Sequence, residues 1–282
     1  MVLNASVHGQ GAGMHKIVLL ACVCLVCFGS NTQAQKPASQ KYQIAQKTSI
    51  SSETAEHDMQ FTLSDIGIEA DGIIENDTYK LFDNFLIENP SVKPGMSVHL
   101  TSPGGSVYGG LMLGHSFTQY GFDTFVGTPG QIGTPLTICA SACNLAFVGG
   151  ARRFVAANAQ FEIHASRLVK SNGEDYGDEE KAFTMEDIAG TRFSDAQTIR
   201  YMRSRGIDPT LAACILDINP SNIMLVPPFL LRKWRVDNQD PTPLTTKQSE
   251  LVQENDAHWE NSCSVLLIRA QSLSPVDAAT SH

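Results

Sequence analysis

The sequence predicts an α/β fold in which helices pack around parallel sheets. Ser97–Thr101 has the alternation of a short strand, and it ends at the turn Pro103-Gly104-Gly105. Apolar residues at helical spacing follow between Ser106 and Gly121, and Asp123–Val126 forms the next strand-like run. Strand, turn, helix and strand in this order are typical of a parallel βαβ unit, so the central part of the chain carries the fold.

The flanking elements fit the same class. The run 61–74 mixes apolar and polar residues and predicts a strand with a turn at Asp71-Gly72. Glycine and proline clusters indicate loops, one at 127–137 and an acidic one at 166–187. The other predicted elements, in chain order, are a helix from Asn76-Asp77 to Asn89-Pro90, a small-residue helix over 142–148, strands at 154–155 and 160–164, and helices over 193–205, 209–216 and 227–234.

Composition limits the classes of function. The chain has 282 residues, 42% hydrophobic and 17% charged, which is enough for one large domain. Its formal charge of -9 argues against nucleic acid or an anionic membrane surface as the main partner. Neither internal repeats nor phosphate-loop or zinc-finger spacing is present, so no metal and no organic cofactor is expected.

The first 34 residues have the pattern of a secretory signal peptide. Met14-His15-Lys16 gives a basic start, 17–28 is an apolar run, and Thr32-Gln33-Ala34 offers a cleavage site. The apolar run is shorter than the roughly 20 residues that span a membrane, although an N-terminal anchor is the alternative. A polar lead-in then covers 35–58. We therefore expect a periplasmic or secreted protein with no stable membrane span after cleavage.

Four cysteines remain after this cleavage: Cys139, Cys143, Cys214 and Cys263. An even number in an oxidising compartment suggests disulfides, and four cysteines allow three pairings. A local Cys139–Cys143 bond is conceivable but strained. A zinc site is the weaker alternative, because no second pair has ligand spacing.

Ser141 and His164 are the candidate catalytic residues. A serine hydroxyl needs a nearby base before it can attack a carbonyl, and a position at a helix start exposes it beside free backbone N–H groups. Glycines in the turn at 104–105 let a further backbone N–H approach the same point. Nucleophile, base and oxyanion donors together are what acyl transfer requires.

The run from Phe61 to Val236 resembles the proteolytic subunit of Clp protease and its periplasmic relatives, within the crotonase-like superfamily. Three motifs in the right order carry the resemblance: 100–107 (LTSPGGSV), 139–143 (CASAC) and 161–165 (FEIHA). The resemblance implies a ββα spiral core over residues 59–236, with 237–282 as a C-terminal extension of unknown structure. The CASAC form looks closer to the secreted branch.

The same resemblance implies the roles of site residues. Ser141 would be the nucleophile and His164 the general base, while Gly105 and Ala142 would donate the oxyanion-hole N–H groups. The family places its acid near Ile218, so Asp217 is the expected third member of the triad and Asn219 the alternative.

The resemblance also implies partners. We expect a peptide or unfolded-protein substrate and possible homo-oligomers, and no ATP-driven unfoldase, because an exported chain has no ATP outside the cell. Two other functions stay open: a catalytically silent module that binds peptides or proteins, and a crotonase-type acyl-thioester enzyme. The acyl-thioester enzyme is disfavoured because such enzymes use backbone donors without a serine nucleophile. Export would also separate the chain from acyl-CoA.

Overall fold

The structure is a computed structural model that describes residues 57–127, 137–166, 185–257 and 262–273. Four predicted features lie wholly or mostly outside these residues: the signal segment 1–34, the lead-in 35–58, the loop 127–137 and the acidic loop 166–187.

The described residues contain eight strands and eight helices. The strands are β1 Gln60–Ser64, β2 Gly67–Asp71, β3 Ser97–Thr101, β4 Asp123–Val126, β5 Ile138–Ala140, β6 Arg153–Val155, β7 Gln160–Ile163 and β8 Met224–Leu225. The helices are α1 Thr78–Glu88, α2 Val107–Tyr120, α3 Ala142–Phe147, α4 Met185–Ser204, α5 Pro209–Asp217, α6 Pro228–Lys233, α7 Thr246–Ala257 and α8 Cys263–Gln271.

These strands form two sheets. The larger has the order β1-β2-β3-β4-β6, with β1 antiparallel to β2 and the other pairs parallel. The smaller has the order β5-β7-β8, with β5 parallel to β7 and β8 antiparallel. The α/β fold with parallel sheets that the sequence predicts is confirmed.

The chain winds through the sheets in a repeated strand, strand, helix pattern. In the last two turns, β4 and β6 lie in the large sheet, β5 and β7 lie in the small one, and α3 and α4 follow. In the earlier turns single bridges take the place of the second strand, where Ile74 pairs with Gly105 and Ser102 pairs with Cys139. Each turn therefore leads from the large sheet to the small sheet and then into a helix.

Aromatic side chains fill the space between the large sheet and the first two helices. Phe82 of α1 is fully buried, and its ring lies 5.0 Å from that of Phe117 on α2 and 5.6 Å from that of Phe122. Val98 and Leu100 of β3 are also fully buried. Burial of such side chains stabilises each by about 1.5–3 kcal/mol, and it fixes α2 and the turn before it against the sheet.

Helix α8 of the C-terminal extension packs on the domain. Cys263 at the start of α8 forms a disulfide with Cys214 of α5. At the other end of α8, the Gln271 side chain donates a hydrogen bond of 3.2 Å to the Leu225 carbonyl on β8. Leu266 and Leu267 between them are buried, so α8 belongs to the core.

Some predicted boundaries were wrong. The run 61–74, expected as one strand, is the hairpin β1–β2, because the chain reverses at Asp65-Ile66. Helix α4 begins at Met185, inside the predicted acidic loop, rather than at 193. None of the helices in the described ranges combines the length and apolar character needed to cross a bilayer.

Candidate active site at Ser141

Ser141 lies between β5 and α3 in an unusual backbone conformation. Its φ is 55° and its ψ is -121°, a left-handed region that non-glycine residues rarely adopt. Such conformations cost of order 1–3 kcal/mol and cluster at active sites. A sharp turn between a strand and a helix is also the arrangement that exposes the nucleophilic serine of many hydrolases. The backbone therefore identifies Ser141 as a functional candidate.

The hydroxyl of Ser141 does not cap the helix that it precedes. Ser106 and Asp208 occupy the same position before α2 and α5, and their side chains accept hydrogen bonds from Gly109 N and Thr210 N. The Ser141 side chain makes no such bond to α3, because its positive φ turns it away from cap geometry. Its Oγ is therefore not committed to stabilising the helix.

Contacts with the chain on either side hold this conformation. The Ser141 N–H donates to the Glu162 carbonyl on β7 at 3.2 Å, and the Ser141 carbonyl accepts from Asn144 N at 3.0 Å. A disulfide joins Cys139 of β5 to Cys143 of α3, with Cα atoms 5.3 Å apart. The peptide planes before and after the serine are thus both fixed.

The glycine turn packs directly against Ser141. Ser102 N donates to the Ile138 carbonyl at 2.8 Å, and Ala140 N donates to the Ser102 carbonyl at 3.0 Å, which joins the turn to β5. A Cβ atom placed on Gly104 would lie 2.6 Å from the Ser141 Cβ, and Gly104 has a φ of +105°. Only glycine allows this approach.

The amides of Gly105 and Ala142 are available as oxyanion donors. The bridge between Ile74 and Gly105 uses the Gly104 carbonyl and the Ser106 N–H, and leaves the Gly105 N–H unused. Ala142 is the first residue of α3, where backbone N–H groups have no acceptor within the helix. Within the described ranges, neither amide donates a hydrogen bond.

His164 directly follows β7, the parallel neighbour of β5. In their register Ala140 lies opposite Glu162, so Ser141 and His164 leave adjacent strands at the same edge of the small sheet. The half-buried His164 ring donates from Nδ1 to the Ala165 carbonyl at 2.7 Å. A carbonyl only accepts, so Nδ1 carries the proton and Nε2 has the lone pair that a general base needs.

Glu162 lies two residues before His164, and the two side chains therefore leave β7 on the same face. Burial raises the pKa of the Glu162 carboxyl above its ordinary value. Its carbonyl accepts from Ser141, so this residue links the two strands at the site through its backbone.

The segment that holds the expected triad acid lies beside His164. Ala165 N donates to the Ile218 carbonyl at 3.1 Å, which brings the chain between Asp217 and Asn219 next to the histidine. Asp217 is exposed, and its Oδ2 accepts from Cys263 N at 2.6 Å. Asn219 Oδ1 accepts from Ser221 N at 2.9 Å. The assignment of Asp217 as triad acid stays a prediction.

All four cysteines of the described residues are paired. Of the three possible pairings the structure has Cys139–Cys143 and Cys214–Cys263, with Cα separations of 5.3 and 5.1 Å. Both separations lie within the ordinary range for disulfides. These cysteines have no thiolate left for a metal, and no cluster of three or more His, Cys, Asp or Glu that could hold one lies in the described ranges.

Sequence reasoning missed Asn144. Its side chain is 1% exposed, and Nδ2 donates to the Glu162 carbonyl at 2.7 Å. The signal for it is a single amide within the otherwise small and apolar run 142–148. Such a residue either packs without a partner or bonds across to another element, and here it bonds to β7.

Comparisons with known proteins give structural neighbours alone. No protein-family model and no curated protein matches the chain. Among solved structures, a serine-to-alanine variant of the 1510-N membrane-bound stomatin-specific protease has a TM-score of 0.40 and 19% identity, covering 59% of this chain and 74% of that one. A lysine-to-alanine variant of the same protease, in complex with a substrate peptide, gives 0.40 and 19%, covering 59% and 70%. An asparagine-to-aspartate variant of ClpP1 from Listeria monocytogenes gives 0.42 and 14%, covering 59% and 85%. The chain is similar to these Clp-type and stomatin-specific proteases.

Proposed function

We propose that the chain is a serine hydrolase in which Ser141 is the nucleophile and His164 the general base. One observation carries the proposal: Ser141 has a φ of 55° at the junction of β5 and α3, with its hydroxyl free of any capping role. The strained backbone of Ser141 is not explained by a hydrogen bond to its own helix. Strained residues cluster at active sites, and a catalytic role explains the conformation.

The proposed reaction uses the atoms around Ser141. His164 Nε2 takes the proton of Ser141 Oγ as Oγ attacks the substrate carbonyl carbon. The N–H groups of Gly105 and Ala142 bind the oxygen that becomes negative, and loss of one such donor costs about 2.7–4 kcal/mol in known enzymes. His164 then gives its proton to the leaving amine. Water, activated by the same ring, releases the acyl group and restores the serine.

Asp217 is the proposed third member of this group. Its Oδ2 is engaged by Cys263 N, while Oδ1 accepts no hydrogen bond within the described ranges. The Ala165–Ile218 hydrogen bond fixes its segment beside His164. In the present conformation the Ala165 carbonyl already holds the His164 tautomer. Asp217 would therefore contribute charge more than orientation.

Small or unfolded peptides are the proposed substrates, and the periplasm or the exterior is the proposed location. The sequence resemblance to Clp-type proteases supports the peptide bond as the target, and it also supports assembly into homo-oligomers. Pairing of all four cysteines beyond the predicted signal supports an oxidising compartment. No unfoldase is proposed.

Labelling by a fluorophosphonate tests the proposal. The wild-type protein should label at one serine, with Ser141 identified by peptide mass spectrometry. Ser141→Ala and His164→Ala should each abolish labelling. His115→Ala, which removes an exposed histidine on α2, is the control and should label as the wild type does. Labelling that persists in Ser141→Ala would contradict the proposed nucleophile.

Two further variants test Asp217. When a triad acid alone holds the tautomer, its amide variant loses about 10⁴-fold in rate. Since the Ala165 carbonyl shares that task, we expect Asp217→Asn to slow labelling by about tenfold to a hundredfold. Asn219→Ala should have little effect. The reverse result would reassign the acid to Asn219.

A silent binding module is the second candidate. The observation that favours it is the disulfide between Cys139 and Cys143, which encloses Ser141 between two fixed points. Absence of labelling under oxidising and reducing conditions alike, with peptide binding retained in Ser141→Ala, would support this function.

A further inference from the structure

One carbonyl on β7 receives two donors from the segment that carries the nucleophile. Glu162 O accepts from the Ser141 N–H at 3.2 Å and from Asn144 Nδ2 at 2.7 Å. His164 lies two residues further along the chain, directly after the strand. This carbonyl is therefore the point at which the serine segment and the histidine strand are joined.

Asn144 fixes Ser141 from both sides. Its backbone N–H donates to the Ser141 carbonyl at 3.0 Å, while its side chain reaches the carbonyl that binds the Ser141 N–H. A shift of Asn144 would change the peptide planes before and after the serine together. It would also change how far Ser141 stands from β7.

The side-chain amide of Asn144 lowers the stability of the fold if packing is its only role. The side chain is 1% exposed, and its Oδ1 has no hydrogen-bond partner in the described part of the chain. A buried polar atom without a partner destabilises the fold, whereas a leucine of similar size would leave no such atom. Departures of this kind from good packing are expected at functional sites.

We propose that Asn144 is a positioning residue that sets the geometry between Ser141 Oγ and the His164 ring through the shared Glu162 carbonyl. The inference rests on the proposed hydrolase function. It adds that the correct approach of base to nucleophile depends on a side chain that touches neither the substrate nor the reacting atoms.

The chain offers a matched control at the other end of the same helix. Thr124 is fully buried, and its Oγ1 donates to the Phe147 carbonyl at the end of α3 at 2.7 Å. Asn144→Leu and Thr124→Val each remove one buried side-chain hydrogen bond to a backbone carbonyl and keep the number and branching of the side-chain heavy atoms. Only the first touches the serine end of α3.

The experiment measures fluorophosphonate labelling of the full chain, purified after expression with its own N-terminus. We expect Asn144→Leu to lower the maximal labelling rate by about tenfold to a hundredfold with an unchanged probe affinity, because small misplacements of catalytic groups cost about that much. Thr124→Val should stay within about twofold of the wild type. Thermal unfolding checks that both variants are folded.

A second variant and a second measurement keep the outcomes distinct. Asn144→Ser, whose hydroxyl is too short to reach Glu162 O, replaces Asn144→Leu if the latter does not fold. The ionisation of the His164 ring, followed by NMR, needs no turnover. The midpoint of this NMR titration should shift in the Asn144 variants and stay unchanged in Thr124→Val.

The failures are separable. A wild-type protein that does not label overturns the proposed hydrolase, while the NMR titration still tests the geometric role of Asn144. An Asn144→Leu variant that labels and titrates like Thr124→Val overturns the positioning role and leaves the hydrolase intact.

Discussion

The two disulfides do different things for the protein. Cys139–Cys143 closes a sequence separation of 4 around Ser141, and Cys214–Cys263 closes a separation of 49 and ties α8 to α5. Loop-closure entropy gives the short bond about 2 kcal/mol of stabilisation and the long one about 4 kcal/mol. The long bond therefore contributes more to stability, whereas the short one encloses the candidate nucleophile Ser141.

The surroundings of the two bonds differ in the same way. Near the short bond lie a serine with a strained backbone, the half-buried carboxyl of Glu162 and the unpartnered Oδ1 of Asn144. Near the long bond, Asp217 accepts from the first amide of α8, and Gln271 donates to β8. The first region keeps groups that lower stability, whereas the hydrogen bonds of the second region join α8 to α5 and to β8.

The largest expected effect is on stability, from loss of the long bond. Cys214→Ala with Cys263→Ala should lower the free energy of unfolding by about 4 kcal/mol, because the unfolded chain regains its loop entropy. Labelling of Ser141, measured well below the unfolding midpoint, should change little. Urea unfolding measures the free energy of unfolding. Loss of labelling in a variant that remains folded would mean that α8 supports the site as well.

Loss of the short bond should have a smaller effect on stability and a larger one on activity. We expect Cys139→Ala with Cys143→Ala to cost about 2 kcal/mol of unfolding free energy. Labelling should fall by about tenfold, because the turn at Ser141 loses one of its constraints. If labelling becomes faster instead, the bond restrains the serine rather than aligning it. Equal labelling would reduce its role to stability alone.

The smallest expected effect is a pH dependence at Glu162. Burial raises the pKa of its carboxyl, so the stabilising contribution of the protonated form is present below the ordinary value of 4.5 and is lost as the pH rises through the raised pKa. Relative to Glu162→Gln, the wild-type protein should therefore lose stability as the pH rises from 4.5 towards neutral. At neutral pH the variant should be the more stable of the two.

Thermal unfolding of both proteins across this range measures the difference. Glu69→Gln, which removes an exposed carboxyl on β2, controls for the loss of charge. A wild-type protein that gains stability over Glu162→Gln with rising pH would contradict the sign. A Glu162 carboxylate that helps the folded protein would also weaken the contrast between the two regions.

Local signals in the sequence predicted the elements that position the site. The glycine turn and the helix between Ser106 and Gly121 each depend on nearby residues, and each lies where expected. Ser141 and His164 directly follow β5 and β7. Because these strands are parallel neighbours, the two residues lie at the same edge of the small sheet.

What the sequence did not predict depends on distant partners. Strands β5 and β8 have three and two residues, too few for a periodic pattern to be visible. The choice among three disulfide pairings requires the fold, as does the capping of α8 by Asp217. Asn144 stands out in the sequence as the only amide in the run 142–148, but its hydrogen-bond partner on β7 cannot be predicted from the sequence. The tail helices α7 and α8 carry weak patterns and became part of the core only through packing.

Gly104 limits how this protein can be altered by directed evolution. A library that randomises the turn would lose its serine geometry at this one position, because even the smallest side chain would collide with the Ser141 Cβ and the Ala140 carbonyl, at 2.6 and 2.7 Å. Gly95, with open space around it, has no such collision, although its own φ of +81° still favours glycine. Altered substrate preference must therefore be sought away from position 104.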